Sequence, residues 1–160
     1  MTELKLRRAP IIGEPGRVGD IQCFPCESDD PSLPKGARTW NHPFRVNMKA
    51  GMGRRMLAWR IKGEEVGNHF HPRAPNKDPE VFEFLYGDLD VWFKDVYGQE
   101  HTEHIRIDLG EAPVLCTVPP YVLHRLIILS EKALFEEFQE GPFDPHMNYS
   151  AAEFELIRRL

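Results

Sequence analysis

Short apolar segments separated by turn residues constrain the fold of this chain more than any other feature. Between Phe44 and Phe138 they read MLAWRIK, VFEFLYG, DLDVWFKDV, HIRIDL, VLCTV, VLHRLIIL and ALFEEF. In MLAWRIK the residues Leu57, Trp59 and Ile61 share one face, the alternation of a β-strand. The tripeptide YGD between the second and third segments contains the turn formers Gly and Asp and therefore indicates a hairpin. About seven or eight strands at this spacing predict an all-β sandwich or barrel.

The two ends of the chain differ from this strand-rich region. Residues 1–43 are rich in Pro and Gly, and we interpret them as an N-terminal arm with one or two short strands. The barrel then spans residues 44–138, and residues 139–160 form a tail. Ser150 and Glu153 make the capping-box pattern of a helix start, and Arg158 and Arg159 suit its last turn. We therefore predict a single domain of residues 1–160 that ends in a short helix.

Composition excludes several classes of protein. The chain has 160 residues and a net charge of -5, which argues against a nucleic-acid partner. It contains no apolar run long enough to cross a membrane and no apolar segment behind its charged start, so we expect neither a membrane protein nor a secreted one. Its three cysteines are expected to be reduced in the cytoplasm, and the C-x-x-C of CFPC is interpreted as a coincidence or a packing feature.

Two histidines one residue apart, in GNHFH, are the strongest sign of chemistry. On a strand, His69 and His71 project to one face about 7 Å apart, close enough to converge on one ion. Glu80 and His124, on other predicted strands, can supply a carboxylate and a third imidazole. Such a set suits one divalent transition metal, Fe, Mn, Zn, Ni or Co, with positions left open for substrate. Spacing alone equally allows polar residues on a solvated strand face.

At these residues the sequence resembles the cupin family, whose first motif reads G-x5-H-x-H-x(3,4)-E-x6-G. All its fixed positions are matched, by Gly63, His69, His71, Glu80 and Gly87. The gap after His71 holds eight residues, PRAPNKDP, which resembles a loop insertion and leaves Glu83 as an alternative to Glu80. The resemblance implies a double-stranded β-helix, the jelly-roll barrel of cupins, with a mononuclear metal site inside it.

A second cupin motif, P-x-G-x2-H-x3-N, is matched in part. Pro119 and His124 agree with it, whereas Tyr121 replaces the glycine and Ile128 the asparagine. The segment VPPYVLHR is similar to the PPYxxHR segment of cupin-type phosphoglucose isomerases. The acidic, aromatic tail is similar in layout to small sugar-nucleotide cupins.

These resemblances imply a metal-dependent isomerase or epimerase of a sugar derivative, in which the metal stabilises an enediolate while a base moves a proton. A non-haem iron dioxygenase and a non-enzymatic cupin that binds a small ligand remain alternatives, because one fold hosts many functions. We expect a small-molecule substrate, one that can be anionic.

Further residues are candidates for binding or catalysis. Arg60, Arg73, Lys77 and Arg125 can grip an anion, although surface ion pairs explain them as well. Tyr86 and Tyr121 are candidate acid, base or orienting groups, with packing as the alternative role. His101 and His104 lie in a predicted polar turn and are expected to be exposed.

The arm predicts an oligomer. Its apolar residues Ile11, Ile12 and Ile21 have few local partners in the sequence. A homodimer in which an arm strand joins the neighbour's sheet edge would bury them.

Overall fold

The protein is described here from a computed structural model. The structure describes residues 13–28, 30–34, 40–41, 54–73, 79–139 and 147–159. Ile11, Ile12 and Lys77, which carry sequence predictions, lie outside the described residues. None of the helices in these ranges has the length and apolarity needed to cross a membrane.

The chain is built mainly of antiparallel strands. The strands are β1 (Gln22–Pro25), β2 (Glu27–Ser28), β3 (Trp40–Asn41), β4 (Arg54–Ile61), β5 (Glu65–Phe70), β6 (Glu80–Lys94), β7 (Glu100–Ile107), β8 (Val114–Val118), β9 (Leu123–Ile128), β10 (Lys132–Gln139) and β11 (Tyr149–Ser150). A 3-10 turn (Val18–Asp20) precedes β1, and one α-helix, α1 (Ala151–Ile157), follows β11. This confirms the all-β prediction with a short C-terminal helix.

The long strand β6 joins the two halves of the barrel. Its first half pairs with β8 and β10, and its second half pairs with β7 and β9. Strand β1 extends one half beyond β8, and β5 and β11 extend the other half beyond β9. The main core lies between the halves and includes Phe82, Phe84, Phe93, Leu126 and Phe135, all buried.

The predicted hairpin at YGD is wrong, because β6 runs continuously through it. Gly87 has φ +112°, a conformation that L side chains rarely adopt. A Cβ there would lie 2.8 Å from Ala133 Cα and 2.8 Å from the Lys132 carbonyl oxygen. The glycine therefore lets one strand bend against β10, and sequence alone cannot distinguish that from a turn.

A second apolar cluster holds the C-terminal helix on the outer side of β5. It contains Phe70, Tyr121, Tyr149, Phe154 and Ile157. The predicted capping box is present, since the Ser150 side chain accepts a bond from the Glu153 backbone and Glu153 bonds the Ser150 N–H. The helix ends at Ile157, so Arg158 and Arg159 follow it instead of forming its last turn.

The arm strand β1 belongs to its own chain's sheet, where it pairs with β8. Ile21 packs against the main core of the same chain. The argument for a dimer therefore no longer holds at Ile21, because this residue already packs within its own chain.

Strand β4 carries an exposed apolar stripe. Leu57, Trp59 and Ile61 share a face, as predicted, but they are 57%, 56% and 58% exposed. The opposite face, with Ala58, is the one that packs into the core. We call these three residues the β4 stripe.

Candidate metal centre

Three histidines and one glutamate converge inside the barrel. They are His69 on β5, His71 just beyond it, Glu80 at the start of β6 and His124 on β9, and we call them the tetrad. Their donor atoms all lie within 4.8 Å of one another. Three members are buried, whereas His69 is partly exposed and marks the open side. The convergence predicted from the sequence is therefore present.

A bulge in β5 sets the direction of the two neighbouring histidines. Asn68 has φ +61°, and the pairing with β9 shifts register between Gly67 and His69. Beyond the bulge His69 lies directly opposite His124, with the ring centroids 4.8 Å apart. Because alternate residues point the same way, His71 returns to this face while Phe70 points into the outer cluster.

Backbone carbonyls fix the tautomers of two rings. His71 Nδ1 lies 3.1 Å from the Met147 carbonyl oxygen, and His124 Nδ1 lies 3.0 Å from that of Val122. A carbonyl oxygen only accepts, so each Nδ1 must donate its proton. In the neutral rings the lone pairs then sit on Nε2, the arrangement typical of metal-bound histidine.

Both Nε2 atoms face the same carboxylate oxygen. His71 Nε2 is 3.1 Å and His124 Nε2 is 3.0 Å from Glu80 Oε2. With neutral rings, three lone pairs would oppose one another at this distance in a buried site. Such a cluster is stable only with a cation among them, either a proton or a metal ion.

The electrostatics agree with that requirement. Burial raises the pKa of Glu80, but the charges and hydrogen bonds of His71 and His124 hold it well below its usual range. Burial lowers the pKa of His124, and the charge and hydrogen bond of Glu80 outweigh it, so the net shift is upward. The metal-free cluster therefore favours a proton between carboxylate and imidazole, and a divalent ion would displace it.

The tetrad fits a single transition metal. Ligands at about 2.0–2.3 Å from one ion lie at most about 4.6 Å apart. The donor atoms of the tetrad lie at most 4.8 Å apart, close to this limit, so small side-chain shifts suffice to bring all four onto one ion. A neighbouring wall is apolar, since the Phe82 ring lies 5.9 Å from that of His124.

Glu80, not Glu83, faces the histidines. Glu83 is also buried, but it lies three residues after Glu80, so its side chain projects to the opposite face of β6. Its register partners are Glu136 on β10 and Leu115 on β8. His101 and His104 are exposed as expected, but they lie within strand β7 and not in the predicted turn, and His104 contacts Asp88 and Asp90.

The candidate anion-binding residues divide by position. Arg73 is exposed two residues after His71, and its guanidinium donates to the Glu14 carbonyl oxygen at 3.2 Å.

Arg125 points away from His124, with its guanidinium 4.7 Å from the Trp92 ring centre and 3.5 Å from Glu65. The Arg60 guanidinium donates a hydrogen bond to the backbone carbonyl of the preceding residue, Trp59, at 2.7 Å. Of these three, Arg73 is the one beside the tetrad in sequence, and Lys77 lies outside the described residues.

The two candidate tyrosines lie elsewhere. Tyr121 is fully buried and packs against Phe70 in the outer cluster, on the side of β5 away from the tetrad. Its φ of +64° lies in the left-handed region that favours glycine, and Tyr121 stands where the second cupin motif has a glycine. Tyr86 lies six residues along β6 from Glu80, about 20 Å of extended strand. It lines a separate surface pocket with Asp88 and Arg106. Both residues therefore lie away from the tetrad, and their catalytic roles stay predictions.

No protein-family model matches this chain, and none of the curated proteins matches it.

Solved structures do resemble it. The sugar 3,4-ketoisomerase QdtA from Thermoanaerobacterium thermosaccharolyticum, solved with TDP, superposes with a TM-score of 0.66 at 12% identity, over 89% of this chain and 98% of that one. A 3,4-ketoisomerase from Helicobacter canadensis gives 0.63 at 11% identity, over 88% and 98%. The dTDP-4-dehydrorhamnose 3,5-epimerase from Elizabethkingia anophelis NUHP1 gives 0.59 at 11%, over 82% and 74%. A QdtA mutant was solved with TDP-4-keto-6-deoxyglucose.

These likenesses establish the fold. The chain has the jelly-roll barrel of the cupin fold that the sequence predicted, and it spans nearly the whole length of the two ketoisomerases.

Proposed function

We propose that this protein is a metal-dependent isomerase or epimerase that acts on a nucleotide-linked sugar. The observation that carries the proposal is the buried tetrad, within a barrel that superposes end to end on sugar ketoisomerases. The tetrad supplies three imidazoles and one carboxylate, which suit Fe, Mn, Zn, Ni or Co.

The residues of the chain divide the work at this centre. A metal bound there supplies Lewis acidity that polarises a substrate carbonyl and acidifies the neighbouring C–H. His71, Glu80 and His124 hold their donor atoms rigidly, since all three are buried and two rings are fixed by carbonyls. His69 is the most exposed member, so substrate approaches on its side. Phe82 keeps one wall free of water.

Arg73 is our candidate for the anionic part of the substrate. It is exposed and lies next to the buried turn that carries His71. A guanidinium there suits a phosphate, which it can bind in a bidentate manner.

The activity can be tested with TDP-4-keto-6-deoxyglucose. We expect the metal-loaded protein to move the keto group or invert a carbon, which NMR of the product detects. Removal of the metal by a chelator should reduce turnover at least about 100-fold, because polarisation is worth several kcal/mol. Adding the metal back should restore it.

Other outcomes would decide between the alternatives. Turnover that survives verified metal removal would mean that the tetrad acts as an acid–base group without metal. Oxygen consumption by the Fe(II)-loaded protein would indicate the dioxygenase. Saturable binding of the sugar nucleotide without turnover would indicate a binding protein.

We also propose that the protein is a homodimer, now through the β4 stripe. Among the described strands β4 pairs with β10 alone, and its outer face is apolar and exposed. An edge strand with such a face is self-complementary about a two-fold axis.

Trp59→Glu should therefore yield a monomer by light scattering, since it places a charge at the centre of the stripe. Leu109→Glu, at a position that is 84% exposed and outside the stripe, is the control and should leave the dimer intact. A wild-type protein that is monomeric at high concentration would refute the proposal.

A further inference from the structure

Two cysteines that are far apart in sequence lie directly opposite each other in the sheet. Cys23 on β1 and Cys116 on β8 are register partners in an antiparallel pair. Side chains of opposed residues project to the same face, where Cys116 is buried in the main core and Cys23 packs against that core. Cys26, the other half of the C-x-x-C, faces the opposite side in a separate cluster with Leu115 and Phe138.

The geometry suits a disulfide. Opposed residues of an antiparallel pair have Cα atoms about 4.5 or 5.5 Å apart, and disulfides span about 4.4–6.8 Å. Both cysteines are free thiols in this structure. The two thiols are close enough that the hydrogen bond the Cys116 thiol donates to Cys23 Sγ is the main cause of the raised pKa of Cys116, followed by burial.

The strand that carries Cys23 continues an arm segment that contacts residues close in sequence to His71 and His124. The Gly16 N–H donates to the Pro120 carbonyl at 3.0 Å, four residues before His124. The Glu14 carbonyl accepts from Arg73, two residues after His71. A Cβ on Gly16 would lie 2.6 Å from Pro119, so this contact is close. A bond that fixes β1 would therefore also keep the arm against the segments that carry His71 and His124.

We propose that Cys23 and Cys116 form a reversible disulfide that fastens the arm, residues 14–25, to the barrel. The oxidant is a small-molecule disulfide such as oxidised glutathione. Cys23 is partly exposed, so its thiolate attacks one sulfur of the oxidant and releases one glutathione thiol. The Cys116 thiol, fully buried, then loses its proton and attacks the Cys23 sulfur, releasing the second. Two protein thiols lose two electrons, and one glutathione disulfide becomes two thiols.

The experiment uses the folded, full-length protein treated with oxidised glutathione. We expect free thiols, counted after denaturation, to fall from three to one, with no glutathione adduct retained. Because the bond closes a loop of about 90 residues, Tm should rise by about 5–10 °C. Backbone hydrogen exchange over residues 14–25 should slow at least about tenfold. Dithiothreitol should reverse all three changes.

Two variants separate this bond from other oxidation products. Cys26→Ser should still form the disulfide, and Cys23→Ser should not, and neither places a new polar group at the fully buried Cys116 position. A disulfide between Cys23 and Cys26, or a glutathione adduct that persists on Cys23, would overturn the proposal. So would unchanged exchange in the arm after the bond has formed. None of these measurements depends on the metal or on the proposed activity.

Discussion

Replacing His71 by alanine is expected to lower the affinity for the bound metal by more than about 100-fold. Losing a residue that merely orients a ligand already costs 10–100-fold, and His71 would be a ligand itself. Its Nε2 lies 3.1 Å from Glu80 Oε2 in a buried cluster, so no water can easily take its place. Metal content by mass spectrometry and titration against a chelator of known affinity would measure the loss.

His104→Ala is the matched control. His104 is also flanked by carboxylates, Asp88 and Asp90, but its side chain is 57% exposed on the outer face of the barrel. It should retain the full metal content. Circular dichroism should show both variants folded, because neither removes an apolar core side chain. Equal losses from the two variants would mean that the metal binds elsewhere.

The tetrad could be predicted from sequence because its members are separated by patterns that strand geometry interprets directly. The two-residue period of a strand was enough to place His69 and His71 on one face. The choice between Glu80 and Glu83 stayed open until the structure placed Glu80 against the histidines. The period nevertheless gave no sign of the bulge at Asn68, beyond which His69 lies opposite His124. A pattern of residues indicates which face they share, whereas the local backbone sets how they converge.

Other features had no signal in the sequence. The backbone carbonyl of Met147 accepts a hydrogen bond from His71, and because every residue type has this carbonyl, the side chain at position 147 gives no sign of the contact. The opposition of Cys23 and Cys116 depends on how β1 pairs with β8, a long-range register that composition does not encode. Alternation placed the residues of the β4 stripe on one face of a strand without deciding whether that face is buried or exposed, and the structure shows that it is exposed.

Tyr121 illustrates a residue for which the sequence left two roles open. It was a candidate acid, base or orienting group, with packing as the alternative. In the structure its backbone holds a left-handed conformation, and its N–H donates to the His71 carbonyl at 2.8 Å. It therefore ties the segment before His124 to the one that carries His71, through its backbone, while its ring packs under the C-terminal helix.

The C-terminal segment is accordingly part of the support of the centre. Strand β11 pairs Tyr149 with Phe70 and Ser150 with His69. The Phe154 ring from α1 packs against Phe70 at 5.4 Å, and Phe154 is fully buried. Met147, which precedes this unit, holds the Nδ1 of His71. Packing of the helix and orientation of the ligand are thus linked through a few residues.

Phe154→Ala should therefore reduce both stability and metal affinity. Truncating a fully buried phenylalanine costs about 3–5 kcal/mol in the free energy of unfolding. The looser segment would release the carbonyl that orients His71, which should weaken metal binding about 10–100-fold. Urea denaturation measures the first effect, and chelator competition at low temperature, with the fold verified by circular dichroism, measures the second.

Ile107→Ala separates the two effects. Ile107 is 2% exposed and pairs with Gly87, far along β6 from Glu80. It should lose about 2–5 kcal/mol of stability, yet bind metal as the wild type does once folded. If Phe154→Ala fails to fold, Phe154→Leu, which removes less volume, should show the same pattern with smaller changes. Equal metal affinities in the two folded variants would show that the C-terminal segment stabilises the barrel without orienting His71.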